Sequence, residues 1–342
     1  METSLRRKGS KDMKDVAVVI LNWNGKNWLE KFLPSVVEFS TPTLSEIIIV
    51  DNASTDDSVE FLSKNYPGIH QICFNQNYGF TGGYNRALKQ VNNPYIVLLN
   101  SDVELSPNWL EPLHRLMESD ANIAACQPKI LSYQAPDYFE YAGAAGGFID
   151  IFGYPFCRGR IFDTIEKDKG QYDDARKVFW ATGACMMVRN SVYQSLGGLD
   201  ENFFAHMEEI DLCWRMQNAG YDIWVEPLSK VYHVGGGTLQ SDSPKKTFFN
   251  FRNSLLMILK NRPFLWAYLF IFIRLGLDGI AGMKFLLQGQ WKHLIAILKA
   301  HFSFYRLQFK YWFKRGEIRR QSLMYKGSIV FDYFIRKKTT FK

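Results

Sequence analysis

The chain has 342 residues, of which 47% are hydrophobic and 22% are charged. This composition is typical of a globular protein with one large or two ordinary domains, and it excludes a disordered chain. Residues 284–342 contain 14 Lys and Arg but only two acids, Glu317 and Asp332. Of the 41 basic and 34 acidic residues, 27 and 32 lie outside this segment, so we expect an acidic body and a basic C-terminal region with different partners.

The cysteines and the N-terminus indicate a cytoplasmic location. Five cysteines, an odd number, are scattered without a CxxC pair, which argues against a disulfide framework or a zinc ribbon. Residues 1–15 are basic and polar, and we expect them to be flexible. No apolar segment of the signal-peptide type lies between them and the first apolar run, which predicts a protein on the cytoplasmic side of the membrane.

The first hundred residues alternate between apolar runs and helical patterns. Continuous runs of apolar residues predict strands at 16–21, 46–50, 69–74 and 95–99. Helices are predicted at 26–39, at 79–91, and between a capping segment at 51–56 and residue 65. This alternation is typical of a right-handed βαβ sheet.

The pattern is less regular further along the chain. A helix is predicted near 109–118, and the segment that follows it up to 181 is too mixed to assign. A strand at 183–188, a short helix at 191–196 and a helix at 208–219 are predicted after it.

Polar clusters follow three predicted strands, at 22–25, 51–56 and 100–102. In an open α/β sheet, ligands bind at the carboxyl ends of the strands. The Asp51 carboxylate can reach a base or a ribose there, or it can cap the next helix. Asn100 and Asp102 point the same way, which suits a divalent ion that also contacts a diphosphate, although such a triplet also occurs in ordinary turns.

Three acids lie at the start of the helix predicted at 208–219, where the helix dipole favours negative charge. Glu208 and Asp211 share a face, and Asp211 is spaced to pair with Arg215, which is a structural interpretation for both acids. Glu209 points about 100° away and is left free for chemistry. His233 is a lone histidine before a Gly-rich loop, and both a structural and a functional role are open for it.

The glycines exclude two classes of nucleotide enzyme. Residues 79–83 lack the GxGxxG spacing after a strand and the GxxxxGK[ST] arrangement, which argues against a nicotinamide dehydrogenase and a P-loop kinase. A nucleotidyltransferase would need a Gly-rich, basic phosphate loop after the first strand, and NWNGKNW is not one.

The C-terminal region combines aromatic and basic residues. The apolar run at 264–273 is bracketed by Arg262 and Arg274, which leaves about half of the roughly 20 residues that a membrane-spanning helix needs. We therefore expect no conventional transmembrane helix. The rest predicts basic amphipathic helices in a membrane interface, while packing of the aromatic residues on the core, or dimerisation, remains an alternative. Nucleic acid is excluded as a partner because no base-reading motif accompanies the basic residues.

Several motifs occur in one order: NWNG, VDNASTDDS, NxGFTGGYNRAL, LLNSD, GACMMVRNSVYQSLGGLDENFFAHMEEIDLCWR and VYH. From about Val16 to Leu256, this order resembles the inverting family 2 glycosyltransferases of GT-A fold, in the branch with bacterial rhamnosyltransferases and galactofuranosyltransferases. The resemblance implies an α/β catalytic domain at 16–250, with a nucleotide-binding half at 16–103 and an acceptor half at 104–250. A helical, basic-aromatic, membrane-associating region would follow at 251–342.

The resemblance also implies roles for individual residues. Asp51 would bind the nucleotide base, supported by neighbouring donor-site residues: Asn22, Trp23, Asn77, Gly83, Asn85, Asn100 and Ser101. The family's DxD motif falls on 100–102, where Asn100 replaces the first Asp, so Asp102 would be the main ligand of Mn²⁺ or Mg²⁺, joined by His233. Glu209 would be the catalytic base, with Glu208 as the alternative. Arg252 would contact the diphosphate.

The activity implied is metal-dependent, inverting sugar transfer from a nucleoside-diphosphate sugar, either dTDP-rhamnose or a UDP-hexose. The acceptor would be a glycan or a lipid-linked glycan in cell-surface polysaccharide biosynthesis. The enzyme would associate peripherally with the anionic inner face of the plasma membrane. The competing hypothesis is a catalytically inactive sugar-nucleotide-binding or scaffold protein of the same fold.

Overall fold

The computed structural model describes residues 13–235, 243–312, 315, 318 and 323–341. Most of the N-terminal segment that the sequence predicts to be flexible lies outside the described residues, as do Gly236 and Gly237 of the loop after His233. All five cysteines are described, and they are free thiols as expected.

The described strands are, in chain order, β1 (Val16–Asn22), β2 (Ser45–Asp51), β3 (His70–Cys73), β4 (Tyr95–Leu99), β5 (Val103–Leu105), β6 (Ile123–Ser132), β7 (Gly147–Ile149), β8 (Pro155–Cys157), β9 (Arg160–Ile161), β10 (Thr164–Ile165), β11 (Arg176–Val178), β12 (Cys185–Arg189) and β13 (Asp222–His233). The described helices are α1 (Lys26–Phe39), α2 (Ser58–Asn65), α3 (Gly79–Leu88), α4 (Leu110–Ser119), α5 (Asn190–Ser195), α6 (Glu208–Asn218), α7 (Pro244–Asn261), α8 (Phe264–Leu287), α9 (Trp291–Trp312) and α10 (Ile329–Phe334).

A mixed sheet with helices on its faces forms the centre of the fold. Its strand order is β11-β13-β6-β12-β4-β1-β2-β3, and β5 pairs with β13. Strands β4, β1, β2 and β3 are mutually parallel, whereas β12 is antiparallel to both of its neighbours. Alternate residues of β1 enter different hydrophobic clusters, such as Val18 on one face and Val19 on the other. The predicted α/β sheet with strands buried on both faces is therefore confirmed.

Two long strands of the central sheet were not predicted. Strand β6 contains Gln127, Pro128 and Lys129, and β13 is irregular between Glu226 and Lys230. These residues interrupt the apolar periodicity on which the sequence analysis depends. Lys129 is nevertheless fully buried, because its ammonium group pairs with Asp168 at 2.8 Å. Tertiary pairing thus accommodates polar residues that a local pattern reads as loop.

A small antiparallel sheet, β10-β9-β8-β7, lies in the segment that the sequence left unassigned. Its strands have only two or three residues each, too few to show a period. The C-terminal segment returns to this sheet, because the Ile329 amide donates to Asp150 at 2.9 Å and the Phe341 ring lies 5.1 Å from that of Phe148. The described C-terminal segment therefore packs on the small sheet and the loop that follows β7.

Helices α7, α8 and α9 pack against one another beside the sheet. Among the described helices, α8 is the one that is long and apolar enough to cross a membrane by length and composition. The expectation that Arg274 ends the apolar window was wrong, because α8 continues to Leu287. Arg274 and Asp278 face inward, where Arg274 donates to Ser254 at 3.0 Å and Asp278 contacts His301 at 3.1 Å. These two charges therefore do not lie on the exposed face of α8, whose exposed charged residue is Lys284.

The aromatic residues of α9 divide between two faces. Phe304 and Tyr311 are buried against the core. Phe302 and Phe309 are 65% and 67% exposed, on the opposite side of the helix. The face of α9 with Phe304 and Tyr311 therefore packs on the core. The face with Phe302 and Phe309 is open to another partner.

Candidate active site

The carboxyl ends of β1 and β2 bring Asn22 and Asp51 side by side. The Asn22 amide donates to Asp51 at 3.1 Å, and the second Asp51 oxygen accepts the Ser54 backbone N–H at 2.9 Å. Asp51 does not cap a helix, because α2 begins only at Ser58. It holds the turn after β2 and lies at the edge where a nucleotide was predicted.

The loop after β1 is tied to the turn after β2. The Asn24 side chain accepts the Thr55 N–H at 2.7 Å, and Asn24 itself has a left-handed φ of 50°. Gly25 is required, because a Cβ there would lie 2.4 Å from Asn22 Oδ1. Trp23, between these residues, is 49% exposed, so its indole is available at the predicted base site.

A second amide network holds the start of α3. Asn52 donates to Asn77 Oδ1 at 3.0 Å and accepts the Tyr78 N–H at 2.9 Å, while Asn77 accepts the Gly79 N–H at 2.7 Å. Gly83 packs closely on the first strand, since a Cβ there would approach the Leu21 side chain to 2.8 Å. Asn52 was missed by the sequence analysis, although it directly follows Asp51 in the quoted motif.

Asn85, another predicted nucleotide residue, is engaged with the protein. Its side chain accepts from Tyr193 at 2.8 Å and from the Leu199 N–H at 2.9 Å, and it donates to the Leu199 carbonyl at 2.7 Å. These bonds fix the turn after α5. A nucleotide contact for Asn85 stays a prediction, and its observed role is to position this turn.

Asp102 and His233 meet although they are 131 positions apart. Antiparallel pairing of β5 with β13 sets Val103 opposite His233, which places the neighbouring Asp102 carboxylate 3.2 Å from His233 Nε2. Both side chains are buried. His233 is therefore not isolated, and the two predicted metal ligands are adjacent.

Glu140 is a third member of this cluster that the sequence analysis missed. It is buried, and its carboxylate lies 3.5 Å from His233 Nδ1. Burial alone would lower the pKa of His233, but the neighbouring carboxylates of Asp102 and Glu140 outweigh it and raise the pKa to about 10. Glu140 comes from the unassigned segment, where no sequence signal marks it.

The donor atoms of this cluster fit a hard divalent cation that shares its coordination with a ligand. A carboxylate oxygen and an imidazole nitrogen 3.2 Å apart match the separation of about 3 Å between adjacent ligands on an octahedral ion. Within the described residues, no group of three or more His, Cys, Asp and Glu side chains forms a complete metal cage. Mg²⁺-type sites commonly use one or two protein ligands and complete their shell with phosphate oxygens and water.

Glu208 and Glu209 begin α6, directly after a strained turn. Phe204, His206 and Met207 all have left-handed φ values, of 65°, 67° and 71°. Such backbone is unfavourable for residues other than glycine and is concentrated at functional sites. The turn therefore needs the surrounding structure to hold it.

The two glutamates have unusual protonation chemistry. Burial, followed by the charge of Glu209, raises the pKa of Glu208 well above its ordinary value. Burial also raises the pKa of Glu209 to about 7. In the described part of the chain, the Oε2 atom of each glutamate has no hydrogen-bond partner. A carboxylate of raised pKa with a free oxygen is suited to accept a proton.

Asp211, one turn along the same helix, behaves differently. Burial alone would raise its pKa, but Lys260 and Arg215 lower it below its ordinary value. The Lys260 ammonium lies 2.9 Å from Asp211 and 2.8 Å from Asp200, and Arg215 is 2.8 Å from Asp211. The predicted pairing of Asp211 with Arg215 is confirmed, and Asp211 is a structural anion beside two protonatable carboxyls.

Helix α7 holds the strained turn in place. The Asn253 amide donates to three backbone carbonyls, those of Phe203, Ala205 and His206, at 3.0, 2.9 and 2.8 Å. Arg252 donates to the Asn202 carbonyl at 2.8 Å. The diphosphate contact predicted for Arg252 stays a prediction, since its guanidinium is directed here toward the turn. The predicted domain boundary at 250/251 falls inside α7, and the residues just after that boundary hold the strained turn.

Gly183 and Ala184 lie between Glu209 and Asn100, the first residue of the predicted metal-binding motif. A Cβ on Gly183 would lie 3.9 Å from Glu209 Cβ, and the neighbouring Ala184 carbonyl accepts the Asn100 N–H at 2.9 Å. Gly183 and Ala184 therefore contact both the glutamate pair and the predicted metal-binding motif. They bring the predicted base and the predicted metal-binding motif to the same edge of the sheet.

Comparison with known proteins agrees with this arrangement. The profile of glycosyl transferase family 2 matches residues 17–197. The low-salt glycan biosynthesis hexosyltransferase of Haloferax volcanii is 23% identical over 252 residues, which are 71% of this chain and 75% of the relative. The N-acetylglucosaminyl-diphospho-decaprenol L-rhamnosyltransferase of Mycobacterium tuberculosis is 27% identical over 240 residues, 65% of this chain and 76% of the relative.

Solved structures show the same fold. The crystal structure of GalNAc-T7 with UDP, GalNAc and Mn²⁺ superposes with a TM-score of 0.57 at 15% identity, over 76% of this chain and 51% of that one. This chain thus spans about half of that protein, and the likeness concerns the GT-A fold. Because the family profile covers more than half of the sequence, the chain belongs to glycosyl transferase family 2 and is a glycosyltransferase.

Proposed function

We propose that the protein is a metal-dependent, inverting glycosyltransferase that transfers a sugar from dTDP-rhamnose or a UDP-hexose to a glycan or lipid-linked acceptor in cell-surface polysaccharide biosynthesis. The observation that carries the proposal is that the Asp102–His233 pair and the two glutamates of raised pKa lie at one edge of the sheet, where Gly183 and Ala184 connect Glu209 with Asn100. The names of the relatives, a hexosyltransferase and a rhamnosyltransferase, support this class of donor.

The donor would bind at the ends of β1, β2 and β4. Asp51 faces the base or ribose, with Asn22 holding its carboxylate and Trp23 offering an exposed aromatic face. Asp102 and His233 would hold Mn²⁺ or Mg²⁺, which when bound neutralises the charge of the departing nucleoside diphosphate. Before it can act as a ligand, His233 must release the proton that its two carboxylate neighbours favour.

Glu209 is the proposed base. Its carboxylate takes the proton from an acceptor hydroxyl, the hydroxyl oxygen attacks the anomeric carbon, and the bond to the diphosphate oxygen breaks. A single displacement inverts the anomeric centre and needs no carboxylate nucleophile. Because Glu208 is buried beside a second carboxylate, it favours its neutral form and leaves Glu209 as the better acceptor, with Glu208 as the alternative base.

The outer faces of α8 and α9 are the proposed membrane contact. Leu265, Phe272 and Leu287 on α8 are 80%, 75% and 82% exposed, and the C-terminal region is strongly basic. Apolar faces flanked by Lys and Arg are typical of helices that lie in the interface of an anionic membrane. We place this surface on the inner face of the plasma membrane, where a lipid-linked acceptor would be available.

The membrane contact is tested by a triple replacement of Leu265, Phe272 and Leu287 with Ser. We expect cosedimentation with phosphatidylglycerol-containing vesicles to be lost. The matched control replaces three exposed apolar residues of the catalytic body, Val37, Ile165 and Leu228, with Ser and keeps vesicle binding. Equal binding by both variants would contradict the assignment of this surface.

The function itself is tested by nucleoside-diphosphate release from a panel of sugar nucleotides, with membrane lipid extract as acceptor and with Mn²⁺ or EDTA. We expect one donor to be turned over, only with metal. Tight donor binding without turnover of any donor would instead support the inactive binding or scaffold protein.

A further inference from the structure

A groove separates the start of α7 from the start of α9. It has a volume of about 440 Å³ and is lined mainly by Lys245, Phe248, Trp291, Lys292, Ile295 and Lys299. Among the described residues that line it, every charged side chain is a lysine. The lining of the groove therefore combines apolar and cationic side chains, which is the chemistry that binds an apolar chain ending in an anionic group.

One end of the groove lies beside the strained turn that precedes α6. The Lys245 ammonium is 5.7 Å from the centre of the Phe204 ring, and that ring stacks on Phe249 of α7 at 5.5 Å. Phe204 belongs to the strained turn that leads into Glu208. An anionic group held by Lys245 would thus sit next to the segment that positions the base.

The other end of the groove continues into the exposed apolar surface of α9. Its lining residues Trp291 and Ile295 begin a stripe at helical spacing of three and four residues. The stripe consists of exposed side chains throughout: Trp291, Ile295, Leu298, Phe302, Tyr305 and Phe309. A hydrocarbon chain that leaves the groove would therefore run along the surface proposed to contact the membrane.

We propose that this groove is the acceptor's lipid-diphosphate site, in which the lysines bind the phosphates and the lipid chain lies on Phe248, Trp291 and Ile295. The inference rests on the proposed function, because it takes the acceptor to be lipid-linked. Three ammonium groups complement the charge of a diphosphate better than that of a singly charged phospholipid phosphodiester. The site orients the acceptor so that its sugar hydroxyl faces Glu209 while its lipid stays in the bilayer.

The test uses the full chain and farnesyl diphosphate as a soluble probe, titrated by calorimetry beside farnesol and inorganic pyrophosphate. Farnesyl diphosphate should bind more tightly than either fragment. Replacing Lys292 and Lys299 with Glu should weaken its binding about tenfold or more. The matched control replaces the exposed Lys64 and Lys89 with Glu and should bind as the native chain does. Trp291→Ala should weaken binding of farnesyl diphosphate but not of pyrophosphate.

Unchanged binding of farnesyl diphosphate by the Lys292 and Lys299 variant would overturn the proposal. So would a variant that loses binding only to phosphatidylglycerol vesicles, because the groove would then recognise bulk anionic lipid. Metal-dependent hydrolysis of the sugar nucleotide without acceptor is measured in parallel and should persist in the variant. If the native chain turns over no donor even with membrane lipid extract as acceptor, yet binds farnesyl diphosphate through these lysines, the proposed function fails and the groove is a lipid-diphosphate-binding site without the acceptor role.

Discussion

The proposed nucleotide end and the proposed catalytic end of the sheet edge differ in how their polar groups are partnered. At the nucleotide end, Asn22 and Asp51 bond to each other, and Asn52 and Asn77 fix the next turn. At the proposed catalytic end, Glu208 is buried and Glu209 is half-buried after a turn of left-handed residues. One carboxylate oxygen of each has no hydrogen-bond partner among the described residues. The first arrangement is preorganised for recognition. The second disfavours the charged form of its carboxyls, which prepares them to exchange protons.

The largest expected effect concerns the glutamates. Glu209→Gln should lower kcat about 1000-fold while leaving donor affinity unchanged, because general bases contribute about 100-fold to 10,000-fold. Glu208→Gln is the isosteric control and should lower kcat much less. Steady-state kinetics with the preferred donor measures both. A reversed order of the two variants would assign the base to Glu208.

The next effect concerns the metal. Glu140→Gln should weaken Mn²⁺ binding about 10-fold to 100-fold, because it removes a carboxylate that orients His233. The Mn²⁺ concentration that gives half-maximal activity is the readout. Glu166→Gln, another glutamate of the same segment, is the control. An unchanged metal requirement in Glu140→Gln would show that Glu140 does not support the cation site.

Asn253→Ala tests whether α7 holds the strained turn. We expect kcat to fall about tenfold with donor KM unchanged, because three backbone carbonyls lose their donor. Asn65→Ala removes a single surface hydrogen bond and should have no effect. A rise in KM alone for Asn253→Ala would move the role of this residue to donor binding.

Asp51→Asn tests the proposed nucleotide end of the sheet edge. The change keeps the size of the side chain but removes its charge, so we expect a rise in donor KM of about tenfold with little change in kcat. Titration with the free nucleoside diphosphate should show the same loss of affinity. A fall in kcat without loss of affinity would break the distinction between a recognition end and a catalytic end.

The predictability of these two ends also differs. The strands that carry Asn22 and Asp51 are continuous apolar runs followed by polar turns, and local pattern placed them within one residue of their observed bounds. The catalytic end depends on β13 and on Glu140, which lie in segments where proline and buried polar residues obscure the period. His233 could be assigned to the site only through the family resemblance, because its contact with Asp102 is a product of long-range strand pairing.

The hydrogen-bond partners of individual side chains could not be predicted from the sequence either. Asn85 and Arg252 have the residue types expected of a donor site, yet both make hydrogen bonds to the backbone of the protein. The same limit applies to Arg274. Its charge was expected to end the apolar segment, but Arg274 is buried on the inner face of α8. Which way a polar side chain faces is decided by tertiary packing, and a motif alone carries no information about it.

The pH dependence of kcat, at saturating donor, acceptor and metal, tests the central claim most directly. A base must be deprotonated to act, and burial raises the pKa of Glu209 to about 7, so kcat should rise as the pH increases through about 7. Glu209→Gln should abolish this rise, and Glu208→Gln should retain it with a midpoint still near 7, because the neutral form that Glu208 favours has no charge to lose. A kcat of the native enzyme that does not change over this range, or a rise that persists in Glu209→Gln, would contradict the account.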